Sequence, residues 1–594
     1  MKKNYKIKLS VLIFTLLTVS LYSQSLLKAV QENDLEAVKI IVNNDLSQII
    51  AEDAAGRQAI HFAANKGNLK ILSFLIKKGA DPASETAAGT SVLHFAAIGG
   101  HTEVVKLLLE KDIPFDKKNR GQITPLYYAA MRGHEEVVSL LLDKNADPDA
   151  YDTEKGTPLQ AAALNGHLNI VRLLSESGAA VKHRDLNGRT ALHFACQTDN
   201  IELIEFLLRS GLDMTIQDRF GKTGLFYAVE NGKIPAARKI SDSYPELFIM
   251  QSNNGSTCLH AAVLGGAKEL TAIVVDQGVK LDIKDRYGLT AWDYALHNKD
   301  TVLIEYLQDI GAKNSGFDKI ELKDQFPDRA LPGLEPELFA PGIISTPFAN
   351  ERDVCFSNEF SELYFTRWLT RKWDIKVMHK KDEIWSTPVT TPFSSPWMEA
   401  EAFLTPDEKQ IFFLSNRPES GEGQGGPWEI WTTARFRTGW TEPQKLGKAF
   451  TGGFYTTFTR EGTMHLTLDG NMQFARKNGD KFEKPRQLPQ TVNGDHGGYN
   501  GFVAPDESYL IFTTFIDCEG YGQGDLYITF RQPDGSWTRI VNMGHEVNSF
   551  AQDYCPSVSP DGKYFFFSSR RLGTEDIFWM DAGIIYELQK NNIK

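Results

Sequence analysis

The chain has 594 residues, more than one ordinary domain needs, and its 42% hydrophobic and 24% charged content excludes wholesale disorder. A formal net charge of −12 repels phosphate backbones and excludes general nucleic-acid binding. Five cysteines (Cys196, Cys258, Cys355, Cys518 and Cys555) are odd in number and sparse, which excludes a disulfide framework, and none has zinc spacing. Buried free thiols are expected.

Lys2, Lys3, Lys6 and Lys8 precede an apolar stretch from Leu9 to Leu21, and Ser23 then offers a small residue for cleavage. This is the pattern of a secretory signal peptide over residues 1–23. The stretch is short of the roughly 20 residues that a bilayer span needs. The expected mature protein is periplasmic or secreted, with no transmembrane segment.

From residue 25 to 315 the chain repeats. One apolar position recurs at Ile60, Leu93, Leu126, Leu159, Leu192, Leu225, Leu259 and Trp292, in steps of 33 or 34. An alanine follows three residues after each, from Ala63 to Ala295, and a hydroxyl residue precedes seven of them by two, Gln58 being the exception. The hydroxyl suits a helix N-cap and the glycine before it a turn. The alanine lets two helices approach closely. A second apolar helix follows, as in Val104-Val105-Lys106-Leu107-Leu108-Leu109, and then a turn such as Gly79-Ala80-Asp81-Pro82. One such unit cannot bury its own apolar face, so neighbours must stack.

The period together with Thr-x-Leu-His-x-Ala resembles the ankyrin repeat. His61, His94, His193 and His260 match the motif histidine, and Gly133-His134 and Gly166-His167 match the start of the second helix. About nine units fit if Leu26–Val30 opens a capping repeat. Residues 221–254 depart from the pattern: Pro235, Lys239 and Pro245 fall where a second apolar helix should lie, and an irregular unit is expected. The resemblance implies that the histidines hydrogen-bond between repeat loops and that proteins are bound at the turn tips and the concave face. Tyr151, Arg184, Arg219, Phe220, Arg286 and Tyr287 fall at expected tips, where an aromatic beside arginine suits a contact hot spot.

Residues 316–337 form a proline-rich linker, with Pro327, Pro332 and Pro336 breaking helical periodicity. From 338 to 594 the composition shifts to Phe, Trp, Thr, Gly and Pro in short alternating runs, with a period near 50. The turns Thr405-Pro406-Asp407-Glu408, Ala504-Pro505-Asp506-Glu507 and Ser559-Pro560-Asp561-Gly562 each precede an aromatic strand. A third strand follows at Glu429-Ile430-Trp431, Asp525-Leu526-Tyr527 and Asp576-Ile577-Phe578. A fourth opens at Trp385, Trp440, Phe482 and Trp537. Four strands per unit indicate propeller blades. The pattern resembles the TolB-type, WD-like propeller repeats of bacterial exported proteins. Five units are counted; the last lacks its fourth strand, which residues 338–345 are expected to supply, closing the ring. The fold class is therefore multidomain: an α-solenoid followed by an all-β propeller of about five four-stranded blades.

Aligning the units places Glu351, Glu399 and Asp553 at one position, the start of the innermost strand, with His496 and Arg417 as further channel-side candidates. Carboxylates there suit local pairing within the repeat, and alternatively a bound cation or sugar, or acid/base work on a glycan. No nucleophile elbow, phosphate loop, dinucleotide fingerprint or His-Glu-x-x-His occurs, and the sequence calls for no cofactor or metal. The expected function is an exported envelope scaffold that binds protein through the solenoid and protein or glycan through the propeller. The alternative is a glycan-active hydrolase or lyase.

Overall fold

The computed structural model describes residues 26–316, 332–369, 371–419, 423–437, 439–479, 481–495, 497–515 and 521–592. By compactness the chain divides into two units, one of residues up to 252 with 257–280, the other of 253–256 with 281 onward.

The first unit is built of paired antiparallel helices. Ala59–Asn65 pairs with Leu69–Lys77, Val92–Gly99 with Thr102–Leu109, and Pro125–Arg132 with Glu135–Asp143. The same alternation continues to Lys268–Asp276. First helices pack on first helices and second on second along the row. The caps are those the hydroxyl spacing predicts: Ser91, Thr124, Thr157 and Thr223 each accept the N3 backbone N–H of their helix. The second helices bury one stripe, such as Val104, Val105 and Leu108, each fully enclosed aliphatic side chain contributing about 1.5–3 kcal/mol. In the departing unit the helix still forms over Ile234–Ser243. Pro235 sits in its first turn, where the missing N–H costs nothing, and Ala236 and Ala237 replace the usual branched pair. The irregularity is confined to an added 3-10 turn, Pro245–Ile249.

Among the described residues the second unit carries one more helical pair, Ala291–Asn298 and Thr301–Asp309, and then five antiparallel sheets of four or five strands, with a two-stranded ribbon of Lys477–Asn478 and Lys481–Phe482 beside them. Their innermost strands are Asn350–Phe356, Glu399–Leu404, Phe454–Phe458, Tyr499–Val503 and Asp553–Val558. Each neighbours the next and the last neighbours the first, so the five larger sheets are the blades of a propeller. Aromatic second strands pack between blades, as Phe412 does against Phe458 with centroids 4.9 Å apart. Closure is made by Glu337–Leu338, which pairs with Trp579 and Phe578 at the outer edge of the fifth blade, and by the Phe339 N–H donating to the Ile577 carbonyl at 2.8 Å. The pairing segment is shorter than the sequence suggests, because Ala340–Ser345 turns back on itself around Pro341, which has no N–H to donate.

Every inner strand is interrupted once. Asp353, Glu401, Tyr455, Asn500 and Cys555 have φ between 51° and 59°, and the ladder slips register beside each of them. These are β-bulges, which bend a strand and re-aim its side chains, here in residue types other than glycine.

Candidate functional site

The motif histidines of the helical repeat are structural. His94 Nδ1 accepts the Ser91 N–H at 3.1 Å, and its Nε2 reaches the Ile123 carbonyl of the next loop at 3.0 Å. His61 does the same with Gln58 at 3.0 Å and Ser84 at 3.1 Å. Accepting at one nitrogen assigns the proton to the other, so the ring is neutral. Burial pushes the His94 pKa down to about 4 and lowers that of His61. Gln160 fills the same place, accepting the Thr157 N–H at 3.0 Å and donating to the carbonyls of His183 and Arg189.

In the propeller the three aligned carboxylates do start their inner strands, but each is closed. Glu351 takes Arg367 Nε at 2.9 Å and the Thr346 hydroxyl at 3.0 Å. Glu399 takes Arg417 and the Ser395 hydroxyl. Asp553 takes Arg571 Nη2 at 2.7 Å and the Ser549 hydroxyl at 2.8 Å. Each arginine also donates to a backbone carbonyl, that of Ile343, Phe393 or Val547, and lies over a phenylalanine ring. All three carboxylates are fully buried. The repeat thus carries an acid–arginine–hydroxyl clamp: the three carboxylates are paired locally and none forms an open cation, sugar or acid/base site. Arg417 is a clamp member, and His496 lies outside the described residues.

Where the inner strands converge, the bulge residues meet instead. Asn500 Nδ2 lies 3.3 Å from Cys555 Sγ, and Tyr455 donates its N–H to Glu401 at 2.8 Å and its hydroxyl to the Pro556 carbonyl at 2.9 Å. Arg352 reaches Glu401 at 3.2 Å and Asp353 at 3.4 Å. Burial raises the Glu401 pKa to about 7, the Asp353 carboxylate adding and Arg352 opposing; burial also drives the Cys555 thiol well above its usual range. This is a plug held by one arginine. The repeat gives no sign of it in the sequence, because the bulges carry five different residue types. Among the described residues no group of three or more His, Cys, Asp or Glu could hold a metal, and Cys196, Cys258, Cys355 and Cys555 are free and buried. Cys518 lies outside the described residues.

A family model of ankyrin repeats in three copies matches residues 20–86, 81–152, 147–218 and 162–251. The N-terminal half is an ankyrin-repeat region. Comparison with curated proteins gives no match.

The ankyrin turn tips form a hydrogen-bonded row in the first unit. Arg120 N–H donates to the Ala88 carbonyl, Thr153 to Gly121, Leu186 to Glu154 and Arg219 to Asn187. Tyr151 is 44% exposed, with the Lys118 ammonium over its ring at 4.8 Å. Arg184 is exposed and ties two tips together, donating to the Gly188 and Gln217 carbonyls. Arg219 is exposed and Phe220 half-buried. In the second unit Arg286 is exposed, but Tyr287 is not the exposed tip that the sequence suggests. Only 1% of it is accessible, and its hydroxyl donates to Asp576 at 2.9 Å beside Thr574, because this tip packs against the fifth blade. On the far side of the bulges from the clamps, a cavity of about 420 Å³ is lined from all five blades, by Phe356, Phe403, Phe458, Phe502 and Val558 among others. Among the described residues no helix is long and apolar enough to cross a membrane.

Proposed function

We propose that this protein is an exported scaffold of the cell envelope that binds protein partners along the ankyrin tips and holds a second partner, protein or glycan, on the propeller face. The observation that carries the reading is the tip row: exposed Tyr151, Arg184 and Arg219 stand at successive tips whose backbones are bonded to each other. Aromatic and arginine side chains held on a rigid frame lose little entropy on binding and are the residues that dominate contact energies. The sequence supports export through its four N-terminal lysines and apolar stretch. The propeller carboxylates most suited to glycan cleavage are closed in clamps, which favours recognition over turnover.

The test is a pull-down from envelope extract with the full chain and with Tyr151→Ala/Arg219→Ala. A stoichiometric protein retained by the parent and lost at least tenfold by the variant is the expected result. Retention unchanged in the variant, or a glycan shortened by the parent, defeats the scaffold reading.

A further inference from the structure

Two junctions between neighbouring blades are built on one plan and finished differently. At the first, between blades one and two, Arg435 lies at the end of the third strand of blade two, its N–H donating to the Lys409 carbonyl at 2.8 Å and its guanidinium lying 4.7 Å from the Trp440 ring. Held there, it grips Glu362 of blade one with two hydrogen bonds, at 3.1 and 2.6 Å, while the Tyr364 hydroxyl donates to the same carboxylate at 3.0 Å. Arginine over an indole, bidentate to a carboxylate, is a strong and directional pairing.

Between blades three and four the same parts recur. Arg531 follows the third strand of blade four, its N–H donating to the Ser508 carbonyl at 2.8 Å and its guanidinium 4.9 Å from the Trp537 ring. The position of Glu362 is now Thr463: as Ser357 bonds the Glu362 carbonyl across the first turn, so Thr459 bonds the Thr463 carbonyl, each at 3.0 Å. Counting on two residues, the position of Tyr364 is His465. No carboxylate bonds the arginine here, although Glu507 lies close enough for the His465 ring and then the Arg531 charge to lower its pKa. Among the described residues the Arg531 guanidinium has no hydrogen bond and no ion pair. Instead a cavity of about 380 Å³ opens, lined by Arg531, Thr463, Arg476, Lys477, Phe474 and Glu507, with Glu461 beside them. His465 behind it is wholly buried, and neither ring nitrogen has a hydrogen-bond partner; Nε2 points to Glu507 at 3.7 Å. A buried imidazole whose contact with Glu507 is too long for a full hydrogen bond costs free energy that a ligand group or a water could recover.

We infer that this junction is a binding site for a hydroxy-carboxylate of monosaccharide size, a sugar acid, whose carboxylate takes against Arg531 the place that Glu362 takes against Arg435. Arg476 and Lys477 add positive charge at the mouth. Glu507 and Glu461 accept from hydroxyls, and the Phe474 ring offers a face for the ligand's apolar side. The site is independent of the ankyrin tips and of the scaffold reading.

Calorimetric titration of the full chain with glucuronate, glucose and inorganic phosphate tests it. Glucuronate is expected to saturate one site at least tenfold more tightly than either of the others. Arg531→Ala should weaken it at least tenfold. Thr463→Glu, which supplies the missing carboxylate from the protein itself, should abolish glucuronate binding while leaving the thermal midpoint at or above the parent's, so that loss of binding is not loss of fold. Glucuronate binding no tighter than glucose, or binding untouched by both variants, overturns the site. Phosphate competing as well as glucuronate overturns the sugar-acid class.

Discussion

His94 and Gln160 occupy the same place in their repeats and make the same pair of bonds, one accepted from the cap backbone and one donated to the next loop. They differ in what acid does to them. Burial holds the His94 pKa at about 4, against about 6.5 in an unfolded chain. Below pH 6.5 the unfolded chain takes up a proton that the folded one refuses, so stability present above pH 6.5 is lost as the pH falls toward 4. His94→Gln is expected to fold with stability within about 1 kcal/mol of the parent at pH 7.5. At pH 5 it should be the more stable by roughly 2 kcal/mol. Urea unfolding of both proteins across this range checks it, and parallel pH profiles would show that the histidine does not titrate on unfolding.

The clamps belong to the scale of the strand. Glu399 is fully buried and its charge is balanced by Arg417. Arg417→Ala leaves that carboxylate buried and unpaired, at an expected cost of about 3–5 kcal/mol. Removing both charges with Glu399→Gln/Arg417→Met should recover at least half of it, since the penalty lies in the orphaned charge and not in the missing attraction. A single-variant cost below about 1 kcal/mol would return Glu399 to the list of groups free for other work. Much of this architecture was legible in advance. The 33-residue step from Ile60 to Leu93 and onward follows from stacking identical units, and the Pro-Asp turns recur because each blade needs the same corner. The clamps are legible as aligned acids, and the arginines that close them, Arg367, Arg417 and Arg571, follow at separations of 16, 18 and 18 residues, a second repeated spacing that marks them. The plug was not legible. Alternation puts Glu351 and Asp353 on one face, but the register break at Asp353 re-aims that side chain, and Asp, Glu, Tyr, Asn and Cys at the five equivalent bulges leave no repeated letter to align. The exposure of Tyr287 is illegible for a related reason: the repeat alone suggests an open tip, while the surface that covers the residue lies 289 positions further on.

At the scale of the whole molecule, the division into compact units falls at Leu281, within the helical repeat, and not at the prolines that follow it. The contact on which the last pair's tip rests in the second unit is Tyr287 against Asp576 and Thr574. Nearby, Tyr294 donates to Asp285 at 2.7 Å, and His297 stacks on Phe348 with centroids 3.7 Å apart. Burial raises the Asp576 pKa to about 7, the hydrogen bonds from Thr574 and Tyr287 opposing, and Glu575 and Asp285 adding to it. Burial likewise raises Asp285 to about 6. A carboxyl raised in the folded state stabilises fully below its unfolded pKa, near 4, and that contribution is lost as the pH rises through 7. Asp576→Asn stays neutral throughout. The parent should therefore lose stability relative to the variant by roughly 1.4 kcal/mol per pH unit between pH 5 and 7. Unfolding free energies of the two proteins, subtracted at each pH, give the slope; a flat difference would mean that Asp576 is ionised in the folded protein.

The closure of the ring also sets an order in time. Leu338 finds its partner, Phe578, only after the other four blades have been synthesised, because the strand it pairs with is the last strand of the propeller. Until then the growing chain holds an unpaired edge at each end of an open arc of sheets. Pairing across so many intervening residues costs little more entropy than pairing across half as many, but it is slow to find. The vulnerable interval of this protein is thus the gap between making its first outer strand and making the third strand of its last blade, when the propeller is a ribbon that could still join a neighbour's edge in place of its own.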